Sequence, residues 1–465
     1  MKKFVFISII ISALLSSCKE SFLDQDKPLV STEALIYTNA EKTEMALLGL
    51  YRSLKGDNCD FLGGKTYLVC DILGDDLIDL DPNGVTLYNT YIMQVLPNTT
   101  ENSYAWYYGY LAINRANVFI ESLEAYHTAE IIGEELANQY IAEAKFVRAL
   151  TYYYLVQLYS EPYKLNRNAK AIPLRLTGIK ESGHSNQPCA TNAKIYEEIL
   201  NDLSDSEIAA LPGDASIKAR ATKAAAYMLK MRVYMIMENW AEAIKAGEAI
   251  TGYKLVTDVT AQFDAPYYTD ESIFSFSQST NDRPNTQRSP WEYYYNGKLF
   301  VIDKVNGVMS QPNYSLEEDQ RVEAFDDDGI LLKFPSDDRL NWIPVFRFAE
   351  TKLNLAECYA QNNREADART ALNDVRRRSI AQADDPLNIS SLSGAALLEA
   401  ISLEKRLELL GEGIRGLEIL RKGETFVKTG SLTGQITCAP SSQYYYWPIP
   451  EDERVNNSQW NELEP

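Results

Sequence analysis

Three sets of residues have the types and spacing to do chemistry. The first is acidic: Asp75-Asp76, Asp326-Asp327-Asp328 and Asp337-Asp338 fall in stretches without a helical pattern. Two carboxylates held a set distance apart are what a glycoside hydrolase needs. The chain carries 65 Asp and Glu, however, so adjacent acids arise by chance, and such runs usually mark solvated turns. No catalytic residue is assigned to them. The second set is aromatic. Tyr occurs 30 times, and Tyr or Trp offers a flat apolar face with a polar edge. On a wet surface such rings stack on sugar rings or peptide side chains. Tyr152, Tyr153 and Tyr154 lie in an Ala- and Leu-rich helical stretch and read as packing. Tyr88, Tyr91, Trp291, Tyr293 and Tyr294 lie in irregular stretches and are the candidate ligand-binding residues. The third is a cysteine, Cys18, placed directly after an apolar run.

That run has a clear grammar. Met1-Lys2-Lys3 is a short basic start, and Phe4 to Leu15 is twelve residues, apolar apart from two serines. It is too short to span a bilayer, which takes about 20 residues, and fits a secretory signal over residues 1–17. Leu15-Ser16-Ser17 followed by Cys18 is the pattern of a bacterial lipoprotein. In that pattern the Cys18 thiol takes a diacylglycerol, the chain is cut before it, and the new amine is acylated. Two or more acyl chains anchor stably, at roughly 0.8 kcal/mol per buried CH₂. The expectation is a chain tethered to a membrane by lipid, with no span of its own.

Composition removes other classes. The formal charge is −20, from 45 Lys and Arg against 65 Asp and Glu. That argues against nucleic acid, where counterion release needs a basic surface, and against a polybasic membrane contact. Cys59, Cys70, Cys189, Cys358 and Cys438 are an odd scatter and form no disulfide framework. Pairing of Cys59 with Cys70 and free buried thiols both remain open. With only His127 and His184 present, an imidazole metal site or a His-based triad is not expected, and no metal or cofactor is assigned. Gly63-Gly64-Lys65 lacks the rest of a phosphate loop and reads as a turn.

The elements that must position these residues are mostly helices. Asn39 to Leu54 places Met45, Leu48 and Tyr51 on one apolar stripe. Further helices are expected over Ser103–Leu123, Glu134–Leu158 and Thr191–Ser204. Ala221–Thr251 reads as two helices with a break near Glu238-Asn239, Phe346–Ser379 as two with a break near Asn362-Asn363, and Leu397–Arg421 closes the helical part. The two broken stretches superpose: Met231, Tyr234, Trp240 and Ala243 sit at the offsets of Ala356, Tyr359, Glu365 and Ala368. Tyr packed on a small Ala across an antiparallel pair is the tetratricopeptide (TPR) solution to helix stacking. The fold expected is all-α, a TPR-like helical repeat frame of about four helix pairs, with long irregular insertions and a loop-rich C-terminus. The insertions are Asp71–Asn102 and Gly252–Pro344, the second holding a strand-like Ser272–Ser277. Long loops of this kind are usually functional or mobile. Gly423–Pro465 lacks helix signals, with Pro448 and Pro450 standing against one.

Ordered motifs add a resemblance. Phe22-Leu23-Asp24 with Pro28 follows the cysteine. Then come Ile113-Asn114-Arg115-Ala116-Asn117, the run Ala142–Leu150, Ile172-Pro173, and Phe346-Arg347-Phe348-Ala349-Glu350. Ala356-Glu357, Leu372-Asn373 and Val375-Arg376 follow in the last repeat. Glu404-Lys405-Arg406, Glu408-Leu409, Gly413 and Arg415 come next, then Trp447-Pro448-Ile449-Pro450 with Glu453 and Asn456. In this the chain resembles the SusD/RagB family of outer-membrane nutrient-binding lipoproteins over nearly its whole mature length. It departs where Gly416-Leu417-Glu418 replaces the family's usual Trp and Asp. The resemblance implies a signal over 1–17, an N-terminal region with TPR helices over 18–251, and a C-terminal region with the loop insertion and last TPR unit over 252–465. It implies a surface protein of the outer membrane, lipid-anchored and facing the cell exterior. Such a protein captures an oligosaccharide, or in some branches a peptide or other nutrient, and acts as lid to a SusC-like TonB-dependent transporter. It implies no enzymatic activity. Family ligand residues vary, so none is carried over by motif. A TPR scaffold binding only protein and a glycosidase are the remaining alternatives.

Overall fold

The computed structural model describes residues 33–464, except 182, 184, 185, 286–288, 312–317, 336, 337 and 430–433, and describes only the backbone of 58, 290 and 291. The signal, Cys18, His184, Asp337 and the side chain of Trp291 therefore lie outside the described residues.

Eleven helices of eight residues or more build the frame among the described residues. They are α1 (Ala40–Lys55), α2 (Lys65–Ile72), α3 (Thr100–Ala125), α4 (Glu134–Tyr159), α5 (Asn192–Asp202), α6 (Lys223–Ile236), α7 (Trp240–Glu248), α8 (Phe348–Gln361), α9 (Glu365–Ser379), α10 (Gly394–Glu408) and α11 (Arg415–Lys422). Local signals set their starts. Asn39 accepts the Lys42 amide at 3.0 Å, Thr191 accepts that of Lys194 at 3.2 Å and Thr222 that of Ala225 at 3.2 Å, as N-caps do. α3 packs on α4, α4 on α5, α6 on α7, α7 on α8, α8 on α9 and α8 on α10.

The two superposable hairpins share their turn as well as their pattern. Glu238 and Asn363 occupy the same position and both are left-handed, at φ 55° and 59°. The amides of the following Asn239 and Arg364 donate to the carbonyls of Tyr234 and Tyr359 at 2.9 and 2.7 Å. That bond satisfies a helix-end carbonyl in the manner of a Schellman cap. Ala243 and Ala368 are fully buried, so each small side chain sits in a closed seam. Because α7 packs on α8, units far apart in sequence stack in space. The fold is the all-α, TPR-like frame.

Three details differ from the sequence expectation. On α1 the buried stripe is Leu47, Leu50, Tyr51 and Leu54, whereas Met45 and Leu48 are 61% and 46% exposed. This helix has apolar residues on two faces, and α3 and α4 cover one. The last helical stretch splits into α10 and α11, because Gly411 and Gly413 adopt φ 78° and 71°. A Cβ at Gly413 would lie 3.0 Å from the Tyr67 ring. A six-residue helix, Glu451–Asn456, begins directly after Pro450, where proline precedes a helix rather than interrupting it.

The insertions are stitched to each other by short antiparallel strands. β1 (Leu77–Asp79), β2 (Lys170–Pro173), β3 (Cys189–Thr191), β4 (Ser272–Phe276), β5 (Phe300–Ile302), β6 (Ile343–Arg347), β7 (Phe426–Lys428) and β8 (Ile436–Cys438) form four two-stranded sheets, β1–β5, β2–β3, β4–β6 and β7–β8. β1 pairs Leu77 with Ile302 and Asp79 with Phe300, which joins the two irregular stretches. The motif residues near the C-terminus form a buried ionic lattice. Glu408 accepts from Arg347 at 2.6 Å and from Arg378. Glu412 accepts from Arg347 and Lys333, both at 2.6 Å. Glu404 accepts from Arg321 and Arg376, both at 2.7 Å. Burial alone would raise Glu408, but Arg378, Arg347, Arg321 and Lys333 hold it far below the usual carboxylate range. Removing one member of such a pair strands its partner and costs about 3–5 kcal/mol. These motifs carry the framework.

Candidate functional site

The insertion rings converge, and most of them turn inward. Tyr91 is 1% exposed, with its ring 6.0 Å from that of Phe300. Tyr294 is 2% exposed, 6.4 Å from Phe300 on another side and 5.1 Å from Tyr293. The β1–β5 pairing thus brings the two predicted ring groups together around Phe300. Tyr91 and Tyr294 are core residues and present no face to a ligand, which corrects their assignment to an exposed platform. The insertions have only short helices, such as Tyr88–Tyr91 and Pro290–Tyr295, and need a shared core, for which rings are the largest apolar groups they contain. Lys428 reaches this cluster from β7. Its Nζ lies 4.3 Å from the Tyr91 ring centre and donates to the carbonyls of Ile72 and Tyr91 at 2.6 and 2.7 Å. Burial pulls its pKa down to about 7. Tyr88 and Tyr293 are half-buried.

Two of the three acid runs make contacts that account for them, and in the third Arg283 lies 3.7 Å from Asp338 while Asp337 lies outside the described residues. Asp75 receives both nitrogens of Arg415, at 2.6 and 2.9 Å, and Asp76 receives Arg406 at 2.6 Å. Burial raises Asp75, but Arg415 and Arg406 outweigh it and hold the carboxyl below its ordinary value. Asp326 closes a turn through the Ile330 amide at 2.8 Å, and the exposed Asp328 meets Lys298 at 2.8 Å. Burial raises the Asp71 carboxyl, which accepts the Gly413 amide at 2.7 Å inside the frame, to about 7, and also raises Asp79 and Asp202. Cys59 and Cys70 do not pair; all five described cysteines are free and buried. Burial pushes the Cys59 thiol up to about 11, which leaves it unreactive. Among the described residues no three His, Cys, Asp or Glu side chains gather so as to hold a metal ion.

An exposed aromatic surface lies on α3, and a smaller one pairs Tyr268 with Trp342. The inner face of α3 is Ala105, Trp106, Gly109, Ala112, Ile113 and Ala116, all buried. A Cβ at Gly109 would lie 2.9 Å from the Leu155 side chain of α4, so α3 and α4 approach at van der Waals distance. That seam has no room for more rings on this face. Tyr104, Tyr107, Tyr108, Leu111 and Arg115 follow the helical repeat on the outer face. Tyr107 is 60% exposed. Tyr108 lies edge-on between Tyr107 and Tyr104, with ring centres 5.1 and 6.0 Å away. Burial, then Asp60 and Asp57, raise the Tyr108 hydroxyl, keeping it a donor.

Further along the same helix, Leu111 and Arg115 line an open cleft of about 600 Å³ between α1, α3 and the segment after β2. Its lining includes Tyr37, Arg52, Asp57, Leu111, Arg115 and Lys180. The volume is within the common range for ligand clefts, about 300–1,000 Å³. Gly49 of α1 faces it with nothing within 4 Å of a built Cβ. Asn114 fixes the opposite wall: its Nδ2 donates to the Ile179 carbonyl at 3.1 Å, and its Oδ1 accepts the Ile179 amide at 2.7 Å. The long insertion touches the rim, because Lys55 donates to the Asp282 carboxylate at 2.6 Å and Arg52 lies 3.7 Å from it. Rings, carboxamide, guanidinium and carboxylate on one open surface can stack on and hydrogen-bond to a hydroxylated ligand. The Tyr-x-x-Tyr-Tyr spacing opposite an Ala/Gly face was the available signal for this site in the sequence.

The frame and its insertions define a class first: a TPR-like helical protein whose repeats are interrupted by irregular segments. A family model described as "Starch-binding associating with outer membrane" matches residues 34–235, and one described as "SusD family" matches residues 336–463. The crystal structure of a SusD superfamily protein from Bacteroides fragilis is 48% identical and superposes with a TM-score of 0.87, covering 92% of this chain and 100% of that one. A SusD-like protein from Formosa agariphila is 24% identical over 489 residues, 90% of this chain and 89% of its own. Surface glycan-binding protein A from Bacteroides thetaiotaomicron shares the fold at 20% identity, with a TM-score of 0.68 over 91% of this chain and 98% of that one. The chain belongs to the SusD family. No helix among the described residues is long and apolar enough to cross a membrane.

Proposed function

We propose that this protein is a lipid-anchored glycan-binding protein of the bacterial outer membrane. It captures an oligosaccharide on Tyr104, Tyr107 and Tyr108 and in the adjoining cleft, without chemically changing it. The observation that carries this reading is the exposed Tyr107 ring beside Tyr108 on the helix whose next turns, at Leu111 and Arg115, line an open cleft. The family description as starch-binding and the glycan-binding relative support it. Acid runs tied up by Arg406, Arg415 and Lys298 favour binding over hydrolysis. In this reading Cys18 carries the lipid. The protein faces the cell exterior and hands its cargo to a SusC-like TonB-dependent transporter, closing on it as a lid. Preorganised rings lower the ordering cost of capture. Trp291, Tyr88 and Tyr293 belong to a second, weaker contact.

The test is retardation of the protein in native gels containing candidate glycans, with calorimetry on the positive ones. Retardation that Tyr107→Ala abolishes supports the reading. Retention of peptides instead of any glycan would move the protein to the peptide-binding branch, and shortened glycan products after incubation would replace binding with hydrolysis. Incorporation of labelled palmitate into the wild type and its loss in Cys18→Ala tests the anchor. Co-purification of a transporter barrel from outer membranes tests the partner.

A further inference from the structure

We infer that the ligand of the α1–α3 cleft is an anionic oligosaccharide, one bearing uronate carboxylates or sulfate esters; the inference rests on the proposed glycan-binding role of that cleft. The chain is strongly acidic, with 45 Lys and Arg against 65 Asp and Glu, yet the cleft wall reverses the balance. Arg52, Arg115 and Lys180 line it, against the single acid Asp57. Two of these cations are loosely engaged. Arg52 is 3.7 Å from Asp282 with both side chains about half exposed, at 53% and 42%, and Lys180 is 3.0 Å from Glu33 at 41% and 39%. Exposed pairs of this kind hold weakly and can exchange for an incoming anion.

Arg115 stands apart from both. It is exposed on α3, and its partner is a neutral hydroxyl: Nη1 donates to Ser53 Oγ at 2.8 Å. No ion pair to Arg115 occurs among the described residues, whereas Arg148, Arg232, Arg347, Arg376 and Arg421 each hold a buried carboxylate. Tied at one corner to Ser53, the guanidinium keeps a planar edge of N–H donors, which matches the paired oxygens of a carboxylate or a sulfate. It also lies on the same helical face as the rings, seven residues beyond Tyr108, about 10 Å along the axis. A sugar chain stacked on Tyr107 and Tyr108 and running along α3 therefore passes its substituents over Arg115. A neutral glycan would leave this cation without a counter-charge on a surface where most others have one.

The experiment is calorimetry on the full chain in detergent. The probes are oligogalacturonate, its carboxyl-reduced form, a sulfated galactan oligosaccharide and its desulfated form, each at low and high salt. The charged member of at least one pair is expected to bind about tenfold or more tighter than its neutral partner, with the ratio shrinking as salt screens it. The uronate and sulfate arms separate the two sources of charge. Arg115→Gln should collapse the ratio toward one, and Arg115→Lys, which keeps the charge and loses the fork, should give an intermediate ratio. Matching thermal unfolding of the variants separates this effect from misfolding. Neutral probes binding as tightly as charged ones, or a ratio that survives Arg115→Gln, overturns the inference. Neutral binding that Tyr107→Ala abolishes overturns it while the proposed function stands. A charge ratio lost in Arg115→Gln but unaffected by Tyr107→Ala upholds it while the ring platform falls.

Discussion

Two ring clusters in this molecule use the same residue type for opposite purposes. Around Phe300, Tyr91 and Tyr294 fill the space between two insertions and are all but inaccessible. On α3, Tyr104, Tyr107 and Tyr108 lie on the outer face, with Tyr107 60% exposed. Local regularity works against intuition here. The irregular segments lack long apolar helix faces and bury several of their rings against each other, although Tyr268 stays 38% exposed beside Trp342. The regular helix already buries a close-packed Ala/Gly face against α4, which leaves its rings on the other side. A ring is available to a ligand where the frame has already met its packing need.

Four measurements would break or sharpen this contrast. The largest effect is expected for Tyr294→Ala. It should cost about 3–5 kcal/mol in denaturant unfolding, as for other large buried rings; a loss under about 1 kcal/mol would mean that the insertion cluster is not core.

Next is the pH profile of that cluster. Lys428 titrates near 7 in the fold against 10.5 for the ordinary group, so between those values the unfolded chain binds more protons and stability rises with pH. This contribution is complete above 10.5 and is lost as pH falls through 7, with a limiting slope of about 1.4 kcal/mol per pH unit. Asp71, raised by burial from 3.8 to about 7, has the opposite slope: stability present below 3.8 is lost as pH rises through 7. Lys428→Met should flatten the upper limb and leave the lower one; an unchanged upper limb would show that Lys428 stays charged under Tyr91.

Third, Tyr107→Ala should weaken glycan binding by roughly tenfold, about 1.4 kcal/mol, while unfolding shifts by at most about 0.5 kcal/mol. A large stability loss would make the α3 rings structural after all. The smallest effect is expected for Trp291→Ala, roughly threefold or less in affinity. A loss larger than that of Tyr107→Ala would return the main contact to the insertion.

Much of the frame was legible in the chain. Apolar periodicity and the repeated Tyr–Ala spacing fix helices through neighbours within a few residues, so their approximate bounds follow from local physics. The Glu238 and Asn363 turns sit where the pattern breaks. The motif arginines and glutamates were readable as framework, and the buried lattice around Arg347 and Glu408 is their explanation. The site was less legible. Choosing rings by their loop setting found Tyr88 and Tyr293, which keep part of their surface, but also Tyr91 and Tyr294, which do not.

The sequence alone determined the helices and the acidic surplus, because each depends on residue type and short-range spacing. Only the tertiary structure decided which faces close. β1 pairs with β5 across more than two hundred residues and hides one ring cluster, while α3 meets α4 through Gly109 and leaves another open. Exposure depends on what packs against a residue, and that partner is set by long-range contacts that no local pattern records.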